Sequence, residues 1–256
     1  MAEQTAHVFL APHYDDVALS CGGSVAQLAE SGKSPLIVTI FGGLPGEPLT
    51  TFASDMHALW GVAPHDVIAT RRSEELCAAD ALGARACWLD FADAIYRADR
   101  YTSDPQLFGK IDPAEASLAG EIHDRLLTEL VERAVHPSSF SVPLAIGNHV
   151  DHQHLLAVGI RLAIEGYDVW AYEDFPYAGD PDWRDSLEAR AKAVTSGTSR
   201  LTALTTDQMQ RRIDAVLCYR TQLDVIFRHQ GDPAASIQRY AQSIGCGRPA
   251  ERFWRI

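Results

Sequence analysis

Apolar and polar positions follow two rhythms along this chain. Short solid apolar runs at His7–Ala11, Pro35–Phe41, Arg85–Leu89, Phe140–Ile146 and Val169–Tyr172 read as strands. Between them lie stretches with apolar residues at helical spacing: about Val17 to Ser31, stopped by Gly32; Thr70–Leu82, ending at Gly83; a helix near Glu115–Val135; and Asp151–Glu165, ending at Gly166. Strands alternating with helices predict βαβ units and a mostly parallel sheet, hence a Rossmann-like three-layer α/β sandwich. The turn-rich stretch Gly42–Pro48 leaves the carboxyl end of the second strand and is expected to border a site. From Asp90 to Pro113 the pattern is mixed, and loops of this length often carry function. After the Gly179–Pro181 turn, charged segments and a helix near Thr206–Phe227 are expected to cover the outside. The expectation is one domain over residues 1–256, with 180–256 as a helical or irregular elaboration.

Composition narrows the partners. A 256-residue chain with 46% hydrophobic content can bury a sizeable core. Its formal net charge of −12 argues against nucleic acid or an anionic membrane as partner, since both call for basic patches. No apolar run reaches membrane-spanning length, and the first seven residues have no basic segment ahead of an apolar one, as a signal peptide would. The five cysteines, Cys21, Cys77, Cys87, Cys218 and Cys246, are odd in number, widely spaced and without a CxxC pair. They read as small buried residues of a reducing compartment, which makes the cytoplasm the default location. Nothing in the composition excludes a homo-oligomer.

Two segments carry the chemistry. The first strand runs into Pro12-His13-Tyr14-Asp15-Asp16, and the Phe140–Ile146 run leads into Gly147-Asn-His149-Val-Asp151-His152. In an open α/β sheet the carboxyl ends of the strands share one crevice where ligands bind. His13 and Asp16, three apart at a strand-to-helix turn, can converge on one ion; Asp16 could alternatively be a helix N-cap. Together with a histidine of the second cluster they have the composition of a catalytic metal site, with mixed nitrogen and oxygen ligands and room for water. Spacing alone permits His149 or His152 as the third ligand.

These segments resemble the LmbE-like or PIG-L-type zinc de-N-acetylases, whose first motif runs Pro/Ala-His-Pro-Asp-Asp-Glu and whose second runs His-Pro-Asp-His. Here Tyr14 and Val150 replace the two prolines, and Val17 stands where many members have glutamate. The resemblance continues through Leu19-Ser-Cys-Gly-Gly23, Arg71-Arg-Ser-Glu-Glu75 before Leu82-Gly83, Asp90-Phe-Ala-Asp93 and Tyr172-Glu-Asp-Phe-Pro-Tyr177, and so covers most of the chain. Some members carry a tyrosine two residues before the second motif, where this chain has Gly147.

The resemblance implies one zinc ion, or another divalent ion such as Fe²⁺, held by His13, Asp16 and His152. Asp15 would take the proton of a metal-bound water, or else orient His13. His149 would face the substrate carbonyl, stabilising the oxyanion as a cation or protonating the leaving amine. Asp151 would orient His149 and raise its pKa, or merely cap the following helix. Arg71 and Asp93 sit where members place groups that contact substrate, and both suit a polyhydroxylated ligand; an internal salt bridge is the alternative for either. Glu173 or Asp174, at a strand end, could line the pocket. Arg72, Glu74 and Glu75 read as helix-surface charges, and His154 as a solvated helix residue.

The implied activity is hydrolysis of an N-acetyl group from an N-acetylglucosamine-type amino sugar or glycoside, a small-molecule substrate. Two histidines and a carboxylate also make the facial triad of non-haem iron oxygenases. The other alternative, a non-catalytic module binding sugar or nucleotide, is disfavoured because no GxGxxG or GxxxxGK[ST] element follows a strand.

Overall fold

Five apolar segments form the parallel part of one sheet: β1 (Gln4–Ala11), β2 (Pro35–Thr39), β3 (Arg85–Trp88), β4 (Val135–Pro143) and β5 (Val169–Tyr172). The computed structural model describes residues 4–46 and 48–256; the segment's first three residues and Glu47 of the Gly42–Pro48 turn lie outside them. Two further strands, β6 (Ser199–Ala203) and β7 (Ala250–Arg255), extend the sheet antiparallel, giving the order β3-β2-β1-β4-β5-β7-β6. The chain runs outward from β1 through β2 to β3, then returns to β4 on the other side of β1. That reversal opens a crevice at the carboxyl ends of β1 and β4.

Ten helices are described: α1 (Asp16–Glu30), α2 (Thr51–Trp60), α3 (Val67–Leu82), α4 (Asp104–Leu107), α5 (Leu118–Glu132), α6 (Val150–Ile164), α7 (Arg184–Val194), α8 (Thr206–Val216), α9 (Leu223–Ile226) and α10 (Pro233–Ile244). One sheet face is covered by α1, α3, α8 and α10, around Phe9, Ile37, Leu82, Ile213 and Phe253. The other is covered by α5, α6 and α7, around Leu10, Val38, Leu126, Leu155 and Leu187. A smaller cluster of Trp60, Ile68, Ile95 and Leu107 supports the loops above the crevice. Among the described residues, no helix is long and apolar enough to cross a membrane.

Several boundaries differ from the hydrophobic pattern. β4 begins at Val135, through a polar stretch that hid it, and ends at Pro143. Leu144, Ala145 and Ile146 stay buried, but Ala145 and Gly147 turn to positive φ and take the chain out of the sheet. The helix expected over Thr206–Phe227 stops at Val216 and resumes only for the short α9.

The stretch 180–256 does more than cover the outside. Helix α1 is interrupted at Cys21 (φ −146°), and the backbone groups freed there are met from far along the chain. The Glu251 carboxylate accepts the N–H groups of Gly23 (2.9 Å) and Ser24 (2.7 Å). Arg212 donates to the carbonyl of Leu19 and lies 3.1 Å from Glu251. A side chain at position 23 would run into Leu204 and Glu251, so glycine is required for this close approach.

The cysteines also depart from expectation. Cys77 of α3 and Cys218, just after α8, form a disulfide, while Cys21 and Cys87 are buried thiols and Cys246 is exposed. Their sequence spacing gave no sign of the pair because it joins residues 141 positions apart. A disulfide is uncommon in a reducing compartment, so the cysteine argument for a cytoplasmic location falls away.

Candidate active site

The two motifs meet at the switch point. β1 delivers His13 and Asp16 at the start of α1, and the loop after β4 delivers His149 and His152 at the start of α6. Asp16 does not cap its helix: it is the first helical residue, and its Oδ2 accepts the backbone N–H of His13 at 2.7 Å. That bond folds the turn so that Asp16 faces both imidazoles, with Oδ2 3.3 Å from His13 Nδ1 and Oδ1 3.4 Å from His152 Nε2. His13, Asp16 and His152 offer ligand atoms within 4.8 Å of one another. The same holds for His13, His149 and Asp151, but there the Asp151 carboxylate is already engaged by other partners.

Each of the two outer histidines is held from behind by a buried carboxylate. His13 Nε2 lies 3.0 Å from Asp151 Oδ2, which also accepts the N–H of Ala94 at 3.0 Å. His152 Nδ1 lies 2.6 Å from Asp174 Oδ1, whose other oxygen accepts the N–H of Ile146 at 3.0 Å. Ligating imidazoles commonly donate their far N–H to such a carboxylate, which fixes ring and tautomer and leaves the near nitrogen free for an ion. The donor set therefore fits a divalent metal at His13 Nδ1, Asp16 and His152 Nε2.

Electrostatics follow from this crowding. Burial opposes charge on His13, but Asp93, Asp151 and Asp16 outweigh it and hold its pKa well above the ordinary value. His152 is raised in the same way, chiefly by Asp16 and Asp174 against burial. Burial favours the neutral form of Asp151, yet Arg97 and His13 keep it far below the usual carboxylate range. Asp174, which has no arginine partner among the described residues, is raised by its burial.

His149 differs from the expectation. Its Nδ1 accepts the backbone N–H of Asp151 at 3.2 Å, so its proton sits on Nε2. The Asp151 carboxylate is turned away, to His13 and Arg97, and the expected pairing of Asp151 with His149 is absent. Burial and the neighbouring His13 put the His149 pKa well below the usual value, opposite to the expected rise. The imidazole is therefore neutral, and the capping role falls to His149, not to the Asp151 carboxylate.

Asp15 and Arg71 are both buried, with Arg71 Nη2 3.5 Å from Asp15 Oδ2. The guanidinium is sandwiched between the rings of Tyr14 and Trp60, 5.2 and 5.3 Å from their centroids. Burial raises the Asp15 pKa, helped by Asp16 and opposed by Arg71. Asp93 caps the short turn Ala94–Tyr96 through the N–H of Ile95, and its other oxygen lies 3.7 Å from His13 Nε2. His13, Asp15, Asp16, Arg71, Asp93, His149 and His152 all line one cavity of about 460 Å³, walled by Trp60, Phe108, Tyr177, Gln222 and Ile226. A larger groove of about 740 Å³ beside Cys77 and Cys218 contains no comparable ligand set.

Four expectations need correction. Glu75 is fully buried and accepts bonds from Thr39 and Trp88; Glu74 accepts two from Thr221. Neither is a surface charge: Glu75 faces β2 and β3, and the chain after α8 packs over Glu74. His154 is buried against Glu115, 3.2 Å away, and not solvated. Glu173 points to Tyr240, Arg252 and Trp254, while its neighbour Asp174 supports His152. Where the resembling family often has a tyrosine, Gly147 (φ +82°) leaves room for the Tyr177 ring, which comes within 2.6 Å of where a Cβ would be. Asp174, Arg97 and Glu115 escaped the sequence reading altogether as charged supports of the site.

A sheet-end crevice holding two buttressed histidines, a carboxylate between them and a second, arginine-paired carboxylate has the donor set for a divalent metal ion. The chain belongs to the PIG-L family of GlcNAc-PI de-N-acetylases, matching it over residues 8–164. It is 29% identical to a 2'-N-acetylparomamine deacetylase of Niallia circulans, over 98% of this chain and 91% of the relative. Its fold is similar to that of a deacetylase from the biosynthesis pathway of teicoplanin, solved as a complex with bog (TM-score 0.83, 26% identity, 98% and 97% of the two chains). A zinc inhibited form of the teicoplanin deacetylase Orf2 shares the fold as well (TM-score 0.82, 24% identity, 98% and 97%).

Proposed function

We propose that this protein is a zinc-dependent deacetylase that hydrolyses the N-acetyl group of an N-acetylglucosamine-type sugar or glycoside, releasing acetate and a free amine. The observation that carries this reading is the division of labour at one crevice. His13, Asp16 and His152 converge, while Asp15, next in sequence, lines the same cavity without joining them. Two imidazoles, one carboxylate and an open side suit catalytic zinc. A divalent ion held there would polarise the amide carbonyl and make water acidic enough to attack at neutral pH.

The protein's own groups account for the proton traffic. Asp15 accepts a proton from the attacking water and delivers it to the amide nitrogen as the C–N bond breaks, so that a neutral amine departs. Arg71 fixes the orientation of Asp15, so its part toward substrate is indirect. His149, locked as the Nε2–H tautomer, donates to the oxyanion that forms on the carbonyl oxygen. Asp93, on the same cavity wall, accepts a hydroxyl of the sugar. The relative named for 2'-N-acetylparomamine supports an amino-sugar substrate.

The test is release of amine from a panel of N-acetylglucosaminides and N-acetylated aminoglycosides, with Asp15→Asn as the control. The variant should retain metal and fold while losing about 10²–10⁴-fold in turnover, as general-base removal does. Wild-type turnover in metal-loaded Asp15→Asn would overturn the assignment of the base.

A further inference from the structure

Behind His13 lies a chain of charges that the hydrolytic reading does not use. Asp151 is fully buried. Its Oδ2 serves His13 and Ala94, and its Oδ1 lies 2.6 Å from Arg97 Nη1. The same guanidinium reaches Glu115 with Nε, 2.9 Å from Oε1, and donates from Nη1 to the carbonyl of Ala92 at 3.1 Å. Glu115 is in turn held by the Tyr101 hydroxyl (2.9 Å) and by His154 Nε2 (3.2 Å). Arg97 lies between the rings of Phe41 and Tyr101, 5.1 and 5.2 Å from their centroids.

Burying a guanidinium costs several kcal/mol unless it is paired. Pairing its charge within the 90–117 stretch needs only the contact with Glu115. Arg97 instead divides itself between Glu115 and Asp151, and the second contact has a chemical consequence. With Arg97 at Oδ1, the Asp151 carboxylate is held with Oδ2 toward His13 Nε2. An imidazole that binds a metal keeps one hydrogen, and here the one facing Asp151 is the one to keep, which gives Nδ1, beside Asp16, to the ion. Remove Arg97 and Oδ1 is a buried oxygen without a counter-charge, and the carboxylate is free to rotate away from His13.

We propose that Arg97, held by Glu115, is a positioning residue for the metal site: acting through Asp151, it fixes the orientation and tautomer of His13 and thereby sets metal affinity. This rests on the assignment of His13, Asp16 and His152 as ligands. Outer partners of ligating histidines typically affect affinity by about 10–100-fold.

The test measures Zn²⁺ and Co²⁺ affinity by chelator competition, together with the visible spectrum of the Co²⁺-loaded protein, in wild type, Arg97→Met, Arg97→Lys and Glu115→Gln. Arg97→Met should weaken both metals about 10–100-fold and shift the Co²⁺ bands, with KM little changed at saturating metal. Arg97→Lys should recover part of the loss, because it restores the charge but not the two-sided fork, and Glu115→Gln should show a smaller weakening. Wild-type affinity and spectrum in a folded Arg97→Met would overturn the proposal. If that variant does not fold, unchanged affinity in both Arg97→Lys and Glu115→Gln would overturn it equally. A wild-type protein that binds neither metal would overturn the ligand assignment and this inference with it, whereas metal binding in wild type and all variants alike would sink only the inference.

Discussion

Three histidines crowd this crevice, with ring centroids 4.9 to 5.6 Å apart, yet their surroundings differ. Behind His13 and His152 stand buried carboxylates, Asp151 and Asp174. The Nδ1 of His149 meets a backbone N–H instead. A carboxylate makes an imidazole a better electron donor, whereas a backbone donor pins it as a neutral hydrogen-bond donor on the opposite nitrogen. The difference separates two tasks that the spacing of the His-x-Asp-His segment cannot separate: holding an ion and meeting developing negative charge.

The largest effect that can break this comparison comes from the histidines themselves. His149→Ala should keep its metal and lose about 10²–10³-fold in kcat/KM, as loss of an oxyanion donor does. His152→Ala should lose the metal. Zinc content and kinetics of both variants decide it, and metal lost from His149→Ala but kept by His152→Ala would reverse the roles.

The two carboxylate supports sharpen the comparison at smaller scale. Asp151→Asn and Asp174→Asn should each weaken metal binding by about 10–100-fold. Asp151→Asn belongs at the upper end, because it also leaves Arg97 without one of its two partners, whereas Asp174 is backed by the backbone of Ile146. Equal losses measured by chelator competition would show that the arginine adds nothing to the support of His13.

The smallest effect on metal and turnover comes from a buried carboxylate outside the ligand set, which acts on stability instead. Glu75 has neutral hydrogen-bond donors in Thr39 and Trp88, and burial pushes its pKa up to about 8. Above the ordinary carboxyl pKa of 4.5, the unfolded chain gives up this proton while the folded protein keeps it. Folding is therefore progressively penalised from about pH 4.5 to about pH 8, and by a constant amount above that. Glu75→Gln removes the penalty, so its stability relative to wild type should rise across that window, by at most about 5 kcal/mol for a shift of that size. Denaturant melts at pH 5 and pH 9 check this; a difference independent of pH would mean that Glu75 is ionised in the fold.

How much of this was legible in the sequence depends on where each residue's signal lies. His13, Asp16, His149 and His152 sit at the ends of solid apolar runs, so the rule that crevices form at strand ends was enough to bring them together. The Asp174 support also lies at a strand end, which made it a candidate without revealing its partner. Arg97 falls in a stretch with neither helical nor strand period and Glu115 at the expected start of a helix, and in both places only tertiary contact gives a charge its meaning. Glu74, Glu75 and His154 were misjudged for the opposite reason. They lie on helices, but α3 and α6 are buried on more than one side, and a polar residue on such a helix looks like a surface residue until its cover is known. For Glu74 that cover is the chain after α8, which follows a strand, Ser199–Ala203, that keeps no buried residue; for Glu75 it is the sheet, and for His154 it is Glu115.

The break in α1 bears on modularity. The stretch that matches the family ends at residue 164, but the acceptor for the amides of Gly23 and Ser24 is Glu251, and the donor to Leu19 is Arg212. A segment cut at the limits of the match would carry every proposed ligand and the proposed base. It would still leave the ligand-bearing helix with two uncapped amides and a bare carbonyl in its middle, at about 1–3 kcal/mol for each such group kept from water. The stretch that matches the family is thus smaller than the portion that must be inherited together, and a graft of residues 8–164 onto another scaffold would have to bring its own Glu251.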